Sequence, residues 1–366
     1  MFPGDVGAVF TRRAAALEGT CRPSLNPRDI LNLFGRNLNR EVALIAEIGV
    51  NHEGDVEAAS RMLALAAQSG ADAVKFQSFT PERYVSTDDP VRIERYRKFA
   101  LDERAHGRLA DEAKKLGVAF FSTPVSEDWL PLLNKLGAAI KIASGDLTFE
   151  PVIRAAAAAG KPMILSTGLG TVEEIDQAVG WCRDEMGEDG VSGRLVLMHC
   201  VSAYPTPIEE ANVLSVPFLA QRYRCAVGYS NHVIGWEACA AAVALGAQVI
   251  EVHFTDRKDG REFRDHALSM EAADLKLLRQ TIDRVAASRG LIGKTRMPSE
   301  LANVVLARKG VVAARDLPAG TTLKRDDLMF ARPAREFAAS EIGTLVGRRL
   351  STAVRLGQTI PRAAIA

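Results

Sequence analysis

Long apolar runs are missing from this 366-residue chain; none approaches the roughly 20 residues that a membrane-spanning helix needs. Net charge is nearly absent too, at +1. That removes the electrostatic pull toward nucleic acid or an anionic bilayer, so neither is an expected partner. Arg12 and Arg13 are followed by no apolar stretch, so the beginning of the chain lacks the texture of a secretory signal. The five cysteines (Cys21, Cys182, Cys200, Cys225 and Cys239) form no Cys-x-x-Cys pair, and their number is odd. Four lie in apolar segments, which suits reduced core thiols and a cytoplasmic protein. The chain is otherwise well supplied for a large core, being 47% hydrophobic.

From residue 41 short β-rich runs alternate with longer helical ones. The strand candidates are Val42–Ile48, Ala73–Phe76, Ala119–Phe121, Ala139–Ile142, Met163–Leu165, Leu195–Met198, Ala226–Gly228 and Val249–Val252. Gly70, Gly117, Gly160 and Gly246 each precede the next strand, where a helix would stop. Eight strand–helix units in about 250 residues predict a closed parallel (β/α)8 barrel of the TIM type; an open doubly wound sheet is the competitor. The spacing assigns residues 41–295 to the barrel and 296–305 to a linker. Residues 306–366 read as a small, mostly β domain, on the β-like runs and Pro-Ala-Gly turn of "KGVVAARDLPAGTTLKRDDLMFARP". Residues 1–40 are an N-terminal extension, in which Asn26 and Pro27 predict the start of a helix over "NPRDILNLFGRNL".

Catalytic groups of such a barrel project from the C-terminal strand ends, and polar residues gather at those ends here. In chain order they are Glu47 with Asn51 and His52, Lys75 and Gln77, Ser122 and Thr123, Lys141 with Ser144 and Asp146, and Ser166 with Thr167. Ser202 and Tyr204, Ser230 and His232, and Glu251 and His253 complete the set. Any one of these is ordinary as a helix cap; eight ends in succession predict a polar, ligand-filled mouth. Lys75, Lys141 and the "STGLG" turn suit a small anion, because such a turn exposes backbone N–H groups. Structural ion pairing is the plainer account of the lysines, and a Schiff-base nucleophile at Lys141 is another. His232 and His253 end neighbouring strands, so their imidazoles can share a divalent ion in an open, Lewis-acid site. On pattern alone, two hydrogen-bonded loop histidines are the plainer account. His199, between apolar neighbours, reads as a satisfied barrel residue, His106 as a surface residue, and Asp265 with His266 as lining the mouth.

Taken together, "AEIGVNHEG", "KFQ", "STP", "KIASGD", "ILSTG", "YPTP", "GYSNH", "EVHFT" and "DHALS" resemble the sialic acid synthase family in order and spacing. The resemblance covers about residues 41–366, including a C-terminal antifreeze-like (SAF) domain. It implies condensation of phosphoenolpyruvate (PEP) with a hexosamine such as N-acetylmannosamine, giving a nine-carbon 2-keto acid and phosphate. It implies PEP binding by Lys75, Thr123, Lys141, Ser144, Ser166, Ser202 and Ser230. Glu47, Gln77, Tyr204, Glu251 and Asp265 would face the sugar, with Glu47, Lys75, Lys141 and Glu251 as the catalytic set. A divalent metal, usually manganese with magnesium or cobalt as alternatives, would sit on His232 and His253. The resemblance further implies a homodimer with swapped C-terminal domains, in which Arg332 enters the partner's barrel.

Four segments depart from the family pattern. Asn231 stands where aspartate is usual, Ser202 replaces an asparagine, "FRDH" replaces Gly-Pro-Asp-His, and Ala334 follows Arg332-Pro333 in place of glycine. They lie toward the sugar end, so they bear on the acceptor more than on the chemistry. Two other readings stay open: a metal-independent Schiff-base aldolase or lyase using Lys141, and a non-catalytic carbohydrate-binding protein.

Overall fold

The structure, a computed structural model, describes residues 31–366. Two short strands, β1 (Asn32–Leu33) and β2 (Arg36–Asn37), pair as an antiparallel hairpin. Eight strands then follow, each separated from the next by one or more helices: β3 (Ala43–Gly49), β4 (Ala73–Ser78), β5 (Ala119–Pro124), β6 (Ile140–Ile142), β7 (Met163–Ser166), β8 (Leu195–His199), β9 (Ala226–Asn231) and β10 (Val249–His253). Every neighbouring pair is parallel, and β10 hydrogen-bonds to both β9 and β3, which closes the barrel and excludes the open sheet. Gly70, Gly117, Gly160 and Gly246 stop helices as the sequence predicts, with φ of 93°, 71°, 78° and 110° that a Cβ would resist. Helix starts are equally local: Asp55 and Asp102 accept from Glu57 N and Ala105 N, and Thr171 forms a capping box with Glu174.

The chain divides after Gly290. In the first unit two apolar layers form, because successive strand residues point to opposite faces. Outward residues such as Leu44, Val74, Phe120, Leu165 and Ile250 pack under the helices, against Met62, Leu63, Leu109 and Leu278. Inward residues Ala43, Ile45, Phe121, Ile164, Val196, Met198 and Val249 fill the barrel interior.

The helix expected over residues 26–38 is not what the described part forms; Asn26 and Pro27 themselves lie outside the described residues. Phe34 and Gly35 take φ of 53° and 80°, the pair of positive values that turns a two-residue hairpin and interrupts a helix. Leu31, Leu33 and Leu38 thereby enter the interior cluster, and the Phe34 ring stacks on Phe121 at 5.1 Å. Each leucine buried this way contributes about 1.5–3 kcal/mol. The hairpin therefore stoppers the N-terminal end of the barrel. Arg36 fastens it there through Asp72, which also accepts from Arg279 and from Leu44 N.

Residues 291–366 form the second unit, with β11 (Gly310–Ala313) antiparallel to β12 (Leu328–Ala331) and several isolated bridges. Its own core gathers Val311, Leu317, Leu323, Leu328, Phe337, Leu345, Leu350 and Ile360. Cys182, Cys200, Cys225 and Cys239 are buried free thiols; burial pushes Cys182 and Cys225 up to about 12. Cys21 lies outside the described residues. Among the described residues no helix is long and apolar enough to cross a membrane.

Candidate active site

The same alternation that fills the barrel interior places charge directly above it. Ala73, Lys75 and Gln77 follow one another on the inner face of β4, as Phe121 and Thr123 do on β5. Ala139 and Lys141, then Ile164 and Ser166, repeat the pattern on β6 and β7, and Val249, Glu251 and His253 on β10. Strand register then sets neighbours side by side: Glu47 opposite Lys75 and His253, Gln77 opposite Thr123, and Glu251 opposite Ser230. Residues distant in sequence thus converge on one polar layer at the C-terminal mouth.

Within it, Lys75 Nζ lies 2.7 Å from Glu47 Oε2 and 3.5 Å from Glu251 Oε1, and donates to Thr123 Oγ1 at 3.3 Å. Gln77 Nε2 donates to Glu47 Oε1 at 3.1 Å, and Ser230 Oγ to Glu251 Oε1 at 3.3 Å. Burial opposes charge on Lys75, but Glu251 and Glu47 outweigh it and hold the ammonium above the usual lysine value. Lys141 is driven the other way, by burial and by its like-charged neighbour Lys75, against the pull of Glu251. Burial works against ionisation of Glu251 as well, yet Lys141 and Lys75 keep its carboxyl below the ordinary range. The structural ion pairing open to the lysines in the sequence is present at Lys75, and its partners are two of the expected catalytic residues.

The other side of the layer is a cradle of small groups. Lys141 Nζ donates to Ser166 Oγ at 2.6 Å. Gly168 N donates to Ser144 Oγ at 3.1 Å, and Ser144 Oγ lies 3.1 Å from Cys200 Sγ. A Cβ on Gly168 would come within 2.5 Å of Ser202 Oγ and 2.8 Å of Ser144 Oγ, so any side chain there would displace the two hydroxyls. Ser202 Oγ is buried without a hydrogen-bond partner. Serine hydroxyls, a lysine and a backbone N–H gathered this way suit an anionic ligand. Cys200, read in the sequence as one more core thiol, belongs to this cradle; the alternation of Val196 and Met198 on β8, carried one step past its end, gives its direction. Asp146 follows on the same turn as Ser144, and burial pushes its carboxyl up to about 6 against the pull of Lys141.

His232 and His253 face one another with ring centroids 5.4 Å apart, and Tyr204 lies 4.3 Å from His232 and 6.0 Å from His253. His232 Nδ1 donates to Val201 O at 2.6 Å, which leaves Nε2 with its lone pair. Burial, and then His253, pushes His232 down to about 3, so the imidazole is neutral. His253 Nδ1 is buried with no hydrogen-bond partner. Two adjacent imidazoles, each with a ring nitrogen free of protein partners, fit a divalent cation bound through an open site. Among the described residues no group of three or more His, Cys, Asp or Glu is arranged for a metal. Asn231 pins the loop behind this pair: its Nδ2 donates to Val233 O and Gly235 O at 2.8 and 3.2 Å, and its Oδ1 accepts from Val233 N. The two donated bonds explain an amide where the family pattern has a carboxylate.

The remaining histidines divide differently from the sequence reading. His199 is buried and its Nε2 donates to Ala211 O, as a satisfied barrel residue should. His106 is not on the surface but fully buried. It shares its helix face with Ala105, Leu109 and Ala113; its Nδ1 donates to Asp102 O, and its Nε2 accepts from Ser78 Oγ at 2.7 Å. Ser78 Oγ is in turn 2.7 Å from Ser122 Oγ, so this histidine ties β4 to β5 from behind. His266 is buried with both ring nitrogens engaged, by Thr255 and Glu53. Asn51 holds the β3 loop to the β10 loop through Phe254 O and Ser269 Oγ. Asp265 is buried and paired with Arg264, whose guanidinium lies over Tyr204. Arg332 lies in the second unit, at the end of β12.

Residues 62–294 match the NeuB family, and residues 308–366 match the SAF domain. N,N'-diacetyllegionaminic acid synthase of Campylobacter jejuni is 36% identical over 324 residues, covering 84% of this chain and 96% of that protein. Its namesake in Legionella pneumophila is 34% identical and covers 91% and 97% respectively. Among solved structures, N-acetylneuraminic acid (sialic acid) synthetase of Leptospira borgpetersenii, in complex with citrate, superposes with a TM-score of 0.68. It is 31% identical and covers 73% of this chain and 91% of that one. With a polar barrel mouth of this composition, a family match across most of the barrel and a SAF domain following it in the chain, the chain belongs to the NeuB family.

Proposed function

We propose that this chain condenses PEP with an N-acylated hexosamine of the N-acetylmannosamine type, forming a nine-carbon 2-keto acid and releasing phosphate. One observation carries the reading: a lysine–serine anion cradle and two adjacent imidazoles share a single barrel mouth. The printed names of the relatives, synthases of legionaminic and sialic acids, support it.

PEP would lie across Lys75, Lys141, Thr123, Ser144, Ser166, Ser202 and Ser230, exchanging the carboxylates now on Lys75 for its own negative charge. The open-chain sugar would face Glu47, Gln77, Tyr204, Glu251 and Asp265. Carbon 3 of PEP attacks the aldehyde carbon, whose oxygen takes up the displaced electron pair and a proton. Water adds at carbon 2, and the bond from that carbon to the phosphate oxygen breaks. Lys75 and Lys141, fixed in place before reaction, stabilise the charge that develops on the departing phosphate. Glu47 and Glu251 are the carboxylates placed to carry protons at the sugar oxygen and the attacking water. His232 and His253 would hold a divalent cation, manganese by preference with magnesium or cobalt as alternatives, which when bound supplies Lewis acidity at the aldehyde oxygen. Val201 O fixes the His232 tautomer, and Asn231 fixes the loop that carries it.

Arg332 would complete the sugar site from the SAF domain of a second copy in a homodimer with exchanged C-terminal domains. Buried free thiols at Cys182, Cys200, Cys225 and Cys239 support a cytoplasmic location. Screening N-acylated hexosamines with PEP, with phosphate release and product mass as readouts, tests the assignment. Absence of PEP-dependent phosphate release with every such sugar would overturn it. The depressed Lys141 also favours a second reading, a Schiff-base aldolase or lyase. Borohydride trapping of a lysine–pyruvate adduct would establish that chemistry in place of the first.

A further inference from the structure

Behind the mouth, where helices pack on the outside of the barrel, a short chain of polar side chains crosses an apolar layer. Phe76, Leu109, Ala113 and Phe120 belong to that layer. His106, Ser78 and Ser122 lie within it, none more than 1% exposed. Polar groups buried this way cost stability unless each finds a partner; fully paired, they fix one arrangement of their surroundings. Here each is paired. His106 lies on the helix Glu103–Leu116, and its Nδ1 donates at 2.9 Å to the carbonyl of Asp102, the N-cap of that helix. Burial holds the imidazole below the usual histidine value, so Nε2 keeps its lone pair and accepts from Ser78 Oγ at 2.7 Å. That spends the one proton of the Ser78 hydroxyl, so Ser122 Oγ, 2.7 Å away, donates to it. The direction of every bond is thereby set, from β5 through β4 to the helix. The Trp129 ring closes the group, with its centroid 4.7 Å from that of His106.

The serines adjoin residues of the mouth. Ser78 follows Gln77 on β4 and Ser122 precedes Thr123 on β5, so the serines point outward where those neighbours point inward. Register sets Gln77 opposite Thr123 and Phe76 opposite Ser122. The end of β5 needs such a support. Among the described residues its ladder with β6 is the single pair of Ser122 and Ile140. After Thr123 comes Pro124, which has no N–H to give. On the other side Val125 N donates to Ser78 O at 2.9 Å, so the last residues of the strand lean on β4. Across that same pair of strands Thr123 Oγ1 accepts from Lys75 Nζ at 3.3 Å. A small displacement of β5 from β4 opens this contact first. Of the residues expected to face the sugar, only Gln77 is carried by either strand; Glu47, Tyr204, Glu251 and Asp265 belong to other elements.

We propose that His106 is a positioning residue of the PEP site, acting through Ser78 and Ser122 to hold the end of β5 so that Thr123 stays within reach of Lys75. The proposal rests on the PEP–hexosamine reading of the mouth. Its test compares the full chain with His106→Asn, His106→Gln and Ser122→Ala, each measured below its own unfolding transition with manganese present. Calorimetric titration with PEP alone gives a Kd. Phosphate release with N-acetylmannosamine, or with whichever N-acylated hexosamine serves best, gives the two KM values. An asparagine amide can stand in for Nδ1 but does not reach Ser78, whereas a glutamine amide brings a carbonyl oxygen to the place of Nε2 and can accept from it. His106→Asn and Ser122→Ala should each raise the Kd and KM for PEP about three- to tenfold, the loss of one buried hydrogen bond, and the sugar KM by less than about twofold. His106→Gln should return most of the loss. Combining His106→Asn with Ser122→Ala should cost little more than either alone, because both cut one chain. Should His106→Asn not fold, Ser122→Ala, which leaves the histidine in place, carries the same prediction. Equal PEP values for the asparagine and glutamine variants, an equal rise in both KM values, or a lowered Tm with PEP binding unmoved overturns the proposal and leaves the synthase reading standing. Absence of both PEP binding and phosphate release from the unaltered chain overturns both.

Discussion

Replacing Lys75 by methionine tests the charge arrangement on which the proposed chemistry depends. Lys75 Nζ lies 2.7 Å from Glu47 Oε2 and 3.5 Å from Glu251 Oε1, and the three side chains are only 4%, 2% and 7% exposed. Methionine preserves most of the length and apolar bulk while deleting the ammonium. Two buried carboxylates are then left with Lys141 as the remaining nearby cation. Deleting one partner of a buried ion pair costs about 3–5 kcal/mol. At about 2–4 °C per kcal/mol for a unit of this size, Tm at neutral pH should fall by roughly 6–20 °C. The direction with pH is also determined. In the native chain Glu251 is held below the usual value, so its ionised form stabilises the fold above the unfolded pKa, and that contribution is lost as pH falls through the folded one. Lys75→Met removes one of the charges responsible, so the stability gap between the two proteins should narrow as the pH falls into and below the ordinary carboxylate range. Glu47→Gln combined with Lys75→Met should recover part of the loss, giving a coupling of about 0.5–3 kcal/mol in a double-mutant cycle. Urea and thermal unfolding of the four proteins reads all of this. A Tm within about 2 °C of the native value, or strictly additive substitutions, would refute the argument that the two charges hold one another in place.

Three further outcomes are expected. Chelation should abolish PEP-dependent phosphate release, manganese or magnesium should restore it, and His232→Ala and His253→Ala should each weaken binding of manganese itself; full turnover after exhaustive chelation would remove the metal from the mechanism. Arg332→Ala should raise the KM for the sugar more than that for PEP, and an unmoved sugar KM would exclude Arg332 from the acceptor site. Asp146 titrates at about 6 in the fold against an ordinary 3.8, so the folded chain binds that proton more tightly and loses stability as pH rises through this window. Asp146→Asn should therefore stabilise the protein at about pH 8, by at most about 3 kcal/mol, and much less at about pH 4.5; equal effects at both would contradict the assignment.

Much of the barrel was legible because its determinants are local. β-rich runs, helix-stopping glycines and polar residues at strand ends each report on a few consecutive positions, and the strands lie within a few residues of where those runs put them. The hairpin at residues 32–37 was misread because "NLFGRNL" also carries helical spacing; positive φ at Phe34 and Gly35 is sustained by leucines that find a hydrophobic interior only once the barrel exists. His106 was misread for a related reason. Its charged sequence neighbours face solvent, whereas the histidine sits on the buried helix stripe, where Ser78, itself bonded to Ser122 of the next strand, satisfies it. Asn231 and Arg264 could be noticed as departures, but their partners are carbonyls and rings set by the loops around them.

By itself, then, the sequence determined the alternation of strand and helix, the inward stripe of polar groups above apolar ones, and the two histidines on adjacent strands. All three follow from repeats of two or about 3.6 residues along the chain. Only the tertiary structure decided that the sheet closes, that Glu47 and Glu251 share Lys75, that a hairpin stoppers the far end, and that Arg264 lies over Tyr204. Those depend on register and closure, which bring together residues tens to hundreds of positions apart. No local pattern records which of them will meet.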